Sequence, residues 1–162
     1  MRIGVLSDSH WRCGKPHPLV ADIFAGVDLI LHAGDVGDSE LLDYLRTIAP
    51  VDHVAGNCDS SFEALRWPRR RVIQVEKITI GLIHGDGAGG TTPRRARQAF
   101  IEQPVDVVVF GHSHQPLCEV GSDGVLLFNP GSTSLPRGQV RRGSCGLLTV
   151  IGKEVTGEII YL

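Results

Sequence analysis

Hydrophobic and polar residues alternate along the first third of the chain in blocks typical of strands and helices. Short apolar runs at residues 2–7, 28–32 and 51–55 predict buried strands, because each ends in small polar residues. Residues 17–26 and 38–48 predict the intervening helices. The second helix has an apolar stripe at helical spacing, which we interpret as core rather than a binding surface: Leu41, Leu42, Leu45 and Ile48. This alternation predicts parallel βαβ units.

The remainder of the chain is richer in strands. Residues 72–75 and 78–83, separated by Glu76-Lys77, predict a β-hairpin, and residues 93–102 predict a helix that begins at a proline. An apolar, β-branched run at residues 105–110 predicts another buried strand. Four further strands are predicted at 117–120, 125–128, 146–151 and 154–161. Two packed β-sheets with helices outside them would reconcile the two halves.

Polar side chains able to bind metal follow five of the predicted strands. In open sheets, ligands gather at the carboxyl ends of the strands, where the backbone turns away and leaves a crevice. Any one of these residues could instead be a turn, a cap or a solvated loop histidine. Five such strand ends together favour a metal site, because imidazole and carboxylate are common metal ligands. The candidate ligands are Asp8, His10, Asp35, Asn57, His84, His112 and His114.

Read in order, these strand ends resemble the five motifs of the calcineurin-like metallophosphoesterases. The motifs are Asp8-Ser9-His10, Gly34-Asp35, Gly56-Asn57-Cys58-Asp59, His84-Gly85 and Gly111-His112-Ser113-His114. Asn129-Pro130-Gly131-Ser132 and the Asn-Cys-Asp variant are similar to the small bacterial and archaeal phosphodiesterase branch, which also resembles the eukaryotic retromer subunit Vps29. The resemblance covers essentially the whole chain. It implies an α/β fold, a four-layer αββα sandwich of two mixed β-sheets flanked by helices, with residues 1–162 as a single domain.

The resemblance also implies a dinuclear metal centre. With Asp35 bridging the two ions, it assigns Asp8, His10 and His114 to one ion and Asn57, His84 and His112 to the other. It places Asp35, Asn57 and His112 in the catalytic group, with a metal-bridging hydroxide as the nucleophile that attacks phosphorus. Nitrogen and oxygen ligands together suit transition metals better than calcium. Manganese is the first expectation from the resemblance, with iron, cobalt, nickel and zinc as alternatives.

Cys58 stands where many members of the family have a histidine that binds phosphate and protonates the leaving group. A thiol carries no positive charge and donates weak hydrogen bonds, so we predict phosphodiester rather than phosphomonoester substrates. A merely packed Cys58 is the equally plausible alternative. Asp86 replaces a second histidine and leaves His84 as the ligand there. Two other functions stay open: a catalytically weak, Vps29-like interaction scaffold, and a phosphomonoesterase or nucleotidase.

Other polar residues are expected to support or surround the site. The histidines outside the motifs are expected in the core or at the surface: His17, His32 and His53. Asp59 is expected to orient its own loop, and the backbone of residues 129–132 to orient His114. Arg137 either reaches a substrate phosphate or is solvated. Residues 11–18 either shape the rim of the site or pack against it.

Composition narrows the class of protein. The 162 residues carry 16 basic and 18 acidic side chains, a net charge of −2, which gives no nucleic-acid signal. The basic cluster at residues 66–71 is expected to be a solvated loop. Four widely spaced cysteines favour neither a zinc ribbon nor a disulfide framework. With no leader and no long apolar window, we expect a cytoplasmic protein without a membrane span, acting on a small-molecule phosphodiester, with a homo-oligomer possible.

Overall fold

The computed structural model describes residues 1–11, 17–62, 64–139 and 141–162. Strands dominate these residues, and the helices are short. In chain order the elements are β1 (Arg2–Leu6), α1 (Pro18–Ile23), β2 (Leu29–His32), α2 (Ser39–Arg46), β3 (Val51–His53), β4 (Arg70–Val75), β5 (Ile78–Ile83), α3 (Thr92–Gln98), β6 (Val107–Val109), β7 (Leu117–Val120), β8 (Leu126–Asn129), β9 (Ser144–Ile151) and β10 (Glu154–Tyr161), with a 3₁₀ turn at Ala64–Arg66.

The strands form two five-stranded mixed sheets. The first sheet has the order β10-β9-β1-β2-β3, in which β1, β2 and β3 are parallel and β9 pairs antiparallel with both β1 and β10. The second has the order β4-β5-β6-β8-β7, with β5, β6 and β8 parallel and an antiparallel strand at each edge. The βαβ units in the first half and the β4–β5 hairpin are therefore confirmed.

Three apolar clusters show how the layers stack. The central cluster joins inward residues of both sheets, such as Val5 and Leu31 from the first and Val107 and Val109 from the second. A second cluster packs α1 and α2 on the outer face of the first sheet, and a third packs α3 on the outer face of the second. Alternate strand residues face opposite sides, so each sheet buries both faces. The predicted αββα sandwich is confirmed.

Glycines allow the helical layers to approach the sheets closely. A Cβ at Gly4 of β1 would lie 2.8 Å from the Phe24 ring, and one at Gly81 of β5 would lie 2.8 Å from the Phe100 ring. Both rings are buried in the outer clusters. These two glycines thus make room for the aromatic residues that anchor α1 and the end of α3.

Some predicted boundaries differ from the structure. The helix expected at 93–102 ends at Gln98, because residues 99–101 donate to carbonyls three or four positions back in tightened turns and Pro104 disfavours helix beyond them. Asp38 caps α2 by accepting the Glu40 N–H at 3.1 Å, while the leucine stripe is buried as predicted. Of the rim segment expected at 11–18, residues 12–16 lie outside the described residues. Among the helices that are described, none has the length and apolarity of a membrane span.

Candidate metal centre

The carboxyl ends of five strands from both sheets meet at one end of the sandwich. The first sheet contributes the loops after β1, β2 and β3, and the second contributes the loops after β5 and β6. Each loop begins within a few residues of its buried strand, so the strands position the side chains that follow. These side chains are Asp8 and His10 after β1, Asp35 after β2, Asn57 after β3, His84 after β5, and His112 and His114 after β6.

The backbone at these positions is unusual. Five candidate ligands have a positive φ, namely Asp8, His10, Asp35, His112 and His114, with values between 44° and 66°. The other described non-glycine residue of this kind is Glu76, in the tight turn of the β4–β5 hairpin. Left-handed backbone costs a non-glycine residue about 1–2 kcal/mol. The loops therefore store strain where they turn their side chains toward a common point, which is typical of functional sites.

Asp8, His10 and His114 form one group of potential ligands, with one donor atom from each lying within 4.8 Å of the others. His114 Nε2 lies 3.3 Å from Asp8 Oδ1 and also 3.3 Å from His10 Nε2. Two imidazole nitrogens and a carboxylate oxygen aimed at one point match the preferences of a transition-metal ion. This group corresponds to the first predicted ligand set.

Asp8, Asp35 and His84 form a second, deeply buried group. His84 Nε2 lies 3.3 Å from Asp35 Oδ2 and 3.9 Å from Asp8 Oδ1. Neither His84 Nε2 nor Asp8 Oδ1 has a hydrogen-bond partner among the described residues. An unsatisfied buried polar atom costs about 1–3 kcal/mol, and a divalent cation bound by both atoms would remove that cost. The residues present therefore fit a metal ion.

Asn57 and His112 lie beside the second group at its exposed side. Asn57 Oδ1 is 3.0 Å from His112 Nδ1, and the His112 ring packs edge-on against the His84 ring at a centroid distance of 5.2 Å. The structure thus brings all seven candidates to one end of the sandwich, five of them in two overlapping groups. The division of the seven between two ions stays a prediction.

The electrostatics favour the metal-binding protonation states of four candidate ligands, and His84 is the exception. Burial acts to lower the pKa of His84, but the hydrogen bond with Asp35 and the charges of Asp8 and Asp35 outweigh it and raise that pKa, so a metal ion there would displace a proton. Burial raises the pKa of Asp8 to about 6 from 3.8. Burial acts in the same direction on Asp35, but the neighbouring His84 and the Cys58 backbone N–H outweigh it and hold the pKa of Asp35 below its ordinary value. Burial lowers the pKa of both His114 and His112. At neutral pH these are ionised carboxylates and neutral imidazoles, the forms that bind metal.

Backbone carbonyls fix the orientation of two histidines. The Ala33 carbonyl lies 2.8 Å from His84 Nδ1, and the Leu135 carbonyl lies 2.7 Å from His114 Nδ1. With Nδ1–H donating to the carbonyl, Nε2 is left free to bind metal. The orienting carbonyl for His114 is therefore that of Leu135, whereas the sequence had suggested the backbone of residues 129–132.

The loops around the ligands are held by further side chains. Asp59 accepts the N–H of Gly56 at 2.8 Å and that of Gly37 at 3.0 Å, so its predicted role in orienting its own loop is confirmed. Buried Asn129 donates to the Gly111 carbonyl at 2.9 Å and to Ser113 Oγ at 3.0 Å. The turn at 129–132 therefore holds the His112–His114 loop through a side chain rather than through its backbone.

Two of the three remaining histidines also have assignable roles. His32 Nε2 lies 2.8 Å from Ser9 Oγ, and burial lowers the pKa of His32 to about 3, so this neutral core histidine supports the loop after β1. His53 packs edge-on against Trp67. Neither belongs to the two ligand groups, in agreement with the sequence analysis.

Two features of the site were not predicted from the sequence. Ser134 Oγ donates to the Ser9 carbonyl at 2.8 Å, and Ser132 Oγ donates to the Asp8 carbonyl at 2.7 Å, which ties residues 132–135 to the first motif loop. The cluster of small residues after Pro130 is the feature of the sequence that could have indicated this contact. Cys58, assigned no metal-binding role from sequence, shares a third group with His10 and Asp35.

The basic cluster at residues 66–71 is committed to local contacts. Arg69 donates to the Gly56 carbonyl and pairs with Asp86 at 2.6 Å. Arg66 stacks on Phe62, and Arg70 stacks on Phe100. Arg71 forms an ion pair with Asp52. These contacts leave little of the cluster to bind phosphate. Arg69 and Asp86 instead brace the loops after β3 and β5.

A two-sheet αββα sandwich with histidines and carboxylates at adjoining strand ends is the arrangement of a metal-binding protein. Residues 1–153 match the calcineurin-like phosphoesterase superfamily domain, and the chain belongs to this superfamily. A probable metallophosphoesterase from Methanothermobacter thermautotrophicus is 39% identical over 162 residues, covering 99% of this chain and 92% of that protein. Another from Methanocaldococcus jannaschii is 42% identical over 140 residues, covering 85% and 70%.

The fold is shared with solved structures. Vps29 from Entamoeba histolytica, crystallised with Zn²⁺, superposes with a TM-score of 0.78 at 23% identity, covering 99% of each chain. At this identity the likeness establishes the architecture, and the family assignment depends on the sequence relatives.

Proposed function

We propose that the protein is a phosphodiesterase that uses two divalent cations held side by side at the strand ends. The position of Asp35 carries this proposal. Its Oδ2 atom lies 3.3 Å from Nε2 of His84 in the buried group and 3.7 Å from Nε2 of His10 in the outer group. One carboxylate that reaches both groups can bridge two ions.

The chain's own residues hold and orient the ions. Asp8, His10 and His114 would bind one ion, and Asn57, His84 and His112 the other, with Asp35 between them. When bound, the two cations supply Lewis-acid activation of water and neutralise charge on the phosphoryl group. Manganese is the first candidate, and the zinc named for the Entamoeba Vps29 structure supports a divalent transition metal in this fold.

A cavity of about 380 Å³ adjoins the outer group and can receive one ester arm of the substrate. It is lined by His10, Gly37, Cys58, Ser134 and Leu135. The volume is within the range of small-ligand sites. Beside it, exposed Arg137 donates its backbone N–H to the His114 carbonyl, and its guanidinium has no partner among the described residues. This guanidinium is therefore available to a phosphate oxygen.

Cys58 favours a diester over a monoester. Partial burial and the neighbouring Asp35 raise the pKa of the Cys58 thiol to about 11, so the free thiol is uncharged near neutrality. A phosphomonoester carries more negative charge than a diester and gains from a cationic imidazolium, which the thiol does not supply. Leaving groups that need a proton gain little from so weak an acid.

Hydrolysis of bis(p-nitrophenyl) phosphate and of p-nitrophenyl phosphate by chelated and metal-reloaded protein tests the proposal. We expect diester turnover that exceeds monoester turnover and requires added Mn²⁺, Co²⁺, Ni²⁺ or Zn²⁺. Asp35→Asn should reduce diester turnover by about a hundredfold or more. Asp123→Asn is the matched control, because Asp123 lies in the turn between β7 and β8, at the opposite end of the second sheet.

Two further outcomes separate the alternatives. Cys58→His should raise monoester turnover, and unchanged monoesterase activity would count against the role given to Cys58. Metal binding without hydrolysis of either ester by any of the four metals would contradict the proposal and favour an interaction scaffold.

A further inference from the structure

Cys58 lies within reach of the metal centre. Its Sγ, a ring nitrogen of His10 and a carboxylate oxygen of Asp35 all lie within 4.8 Å of one another. Cys58 directly follows Asn57 in the loop after β3, and its side chain borders the cavity beside His10. A thiol, an imidazole and a carboxylate form a ligand combination that soft and borderline metals prefer.

Two hydrogen bonds hold the thiol in this position. The Cys58 backbone N–H donates to Asp35 Oδ1 at 2.8 Å, and the Asn57 side-chain amide donates to Cys58 Sγ at 3.3 Å. Zinc-like ions bind sulfur at about 2.3 Å and nitrogen or oxygen at about 2.0–2.2 Å, so their ligand atoms stand roughly 3.3–4 Å apart. The observed grouping approaches this spacing and needs only a small closure around an ion.

We propose that Cys58 is a metal ligand, which adds a thiolate to the ion held by Asp8, His10 and His114. This inference rests on the metal centre of the proposed function and adds one ligand to it. As the metal–sulfur bond forms, the S–H bond breaks and the proton leaves to solvent. The added sulfur shifts the selectivity of this position from Mn²⁺ toward Zn²⁺, Co²⁺ and Cd²⁺. A thiolate, like the neutral thiol, supplies no positive charge to a doubly charged monoester, so the proposed preference for diesters is unchanged.

Cobalt substitution gives a direct readout that does not depend on activity. Chelated full-length protein is titrated with Co²⁺, and bound cobalt is quantified by elemental analysis and by its visible d–d bands. Wild-type protein and the control variant Cys118→Ser should develop a near-ultraviolet sulfur-to-cobalt charge-transfer band. Cys58→Ser should bind cobalt without this band. Cys13→Ser, which alters a thiol outside the described residues, should keep it.

Competition between metals provides the second measurement. Cys58→Ser should lower the affinity for Cd²⁺ relative to Mn²⁺ by at least about tenfold, the lower end of what the loss of a supporting group at a metal site costs. Cobalt bound to wild-type protein without the charge-transfer band, or a band that persists in Cys58→Ser, would overturn this inference and leave the metal centre intact. Failure of wild-type protein to bind cobalt at all would overturn both this inference and the proposed function.

Discussion

Replacement of Asp8 by asparagine is expected to stabilise the metal-free protein near neutral pH while it weakens metal binding. Asp8 is fully buried, and Oδ1 has no hydrogen-bond partner among the described residues. Its other oxygen accepts the Ser7 hydroxyl at 2.7 Å and the His112 backbone N–H at 2.9 Å. An asparagine of the same shape keeps an acceptor for these two donors and removes the buried charge.

The magnitude follows from the pKa of Asp8. Burial raises this pKa from 3.8 to about 6, a difference that corresponds to about 3 kcal/mol. Between pH 3.8 and about 6, Asp8 keeps its proton in the folded protein but has lost it in the unfolded chain, so the free energy of unfolding falls as the pH rises. Above about pH 6 Asp8 is ionised in both states, and the folded protein bears the full free-energy cost of the buried charge. The asparagine variant avoids this cost. Its advantage should be about 3 kcal/mol near pH 7.5, about half as large near pH 5, and absent below pH 3.8.

Urea denaturation in the presence of a chelator, followed by circular dichroism, measures this difference. Asp123→Asn serves as the control, because the Asp123 carboxylate is exposed and accepts from Arg97 at 2.7 Å, so its loss should not stabilise the protein. Metal at a thousand times its Kd for the wild-type protein should reverse the order, since it adds about 4.1 kcal/mol to the protein that binds it, more than the advantage of the asparagine variant. A metal-free Asp8→Asn protein no more stable than wild type at pH 7.5, or an advantage that does not shrink toward pH 5, would refute this reasoning.

Three further predictions concern the surroundings of the site. Gly56→Ala places a Cβ 2.0 Å from Asp35 Oδ1, so we expect a loss of about 1–3 kcal/mol by urea denaturation and weaker cobalt binding. In the control Gly121→Ala, the close contact is with the exposed Asp123 carboxylate, which can move, and the Val125 carbonyl lies at an ordinary 3.5 Å, so neither property should change. Asn129→Leu removes the donor to the Gly111 carbonyl and the Ser113 hydroxyl, so the free energy of unfolding should fall by about 1–3 kcal/mol. An unchanged midpoint of urea unfolding would contradict this prediction. Cys145 is fully buried, so iodoacetamide should modify it only after unfolding, whereas the exposed thiols of Cys58 and Cys118 should react in the folded protein; peptide mass spectrometry distinguishes the sites.

Local pattern was sufficient to predict most of the elements. The hairpin at Glu76-Lys77 and the leucine stripe of α2 follow from periodicity and turn residues that act over a few positions. The same holds for the loops that carry the candidate ligands, because polar residues directly after a buried apolar run mark the end of a strand. Helix ends were predicted less well, since backbone hydrogen bonds and Pro104 decide where α3 ends.

The order of strands and helices, and the presence of metal-binding side chains at strand ends, follow from the amino-acid sequence alone. The tertiary structure decided which of these side chains meet. β9 returns from the end of the chain to pair with β1, with Gly4 opposite Leu147, and residues 132–135 thereby reach the first motif loop. The contact of Leu135 with His114 and the closeness of Cys58 to His10 join residues 21 and 48 positions apart. Such contacts depend on how the two sheets bury each other, which no short stretch of sequence specifies.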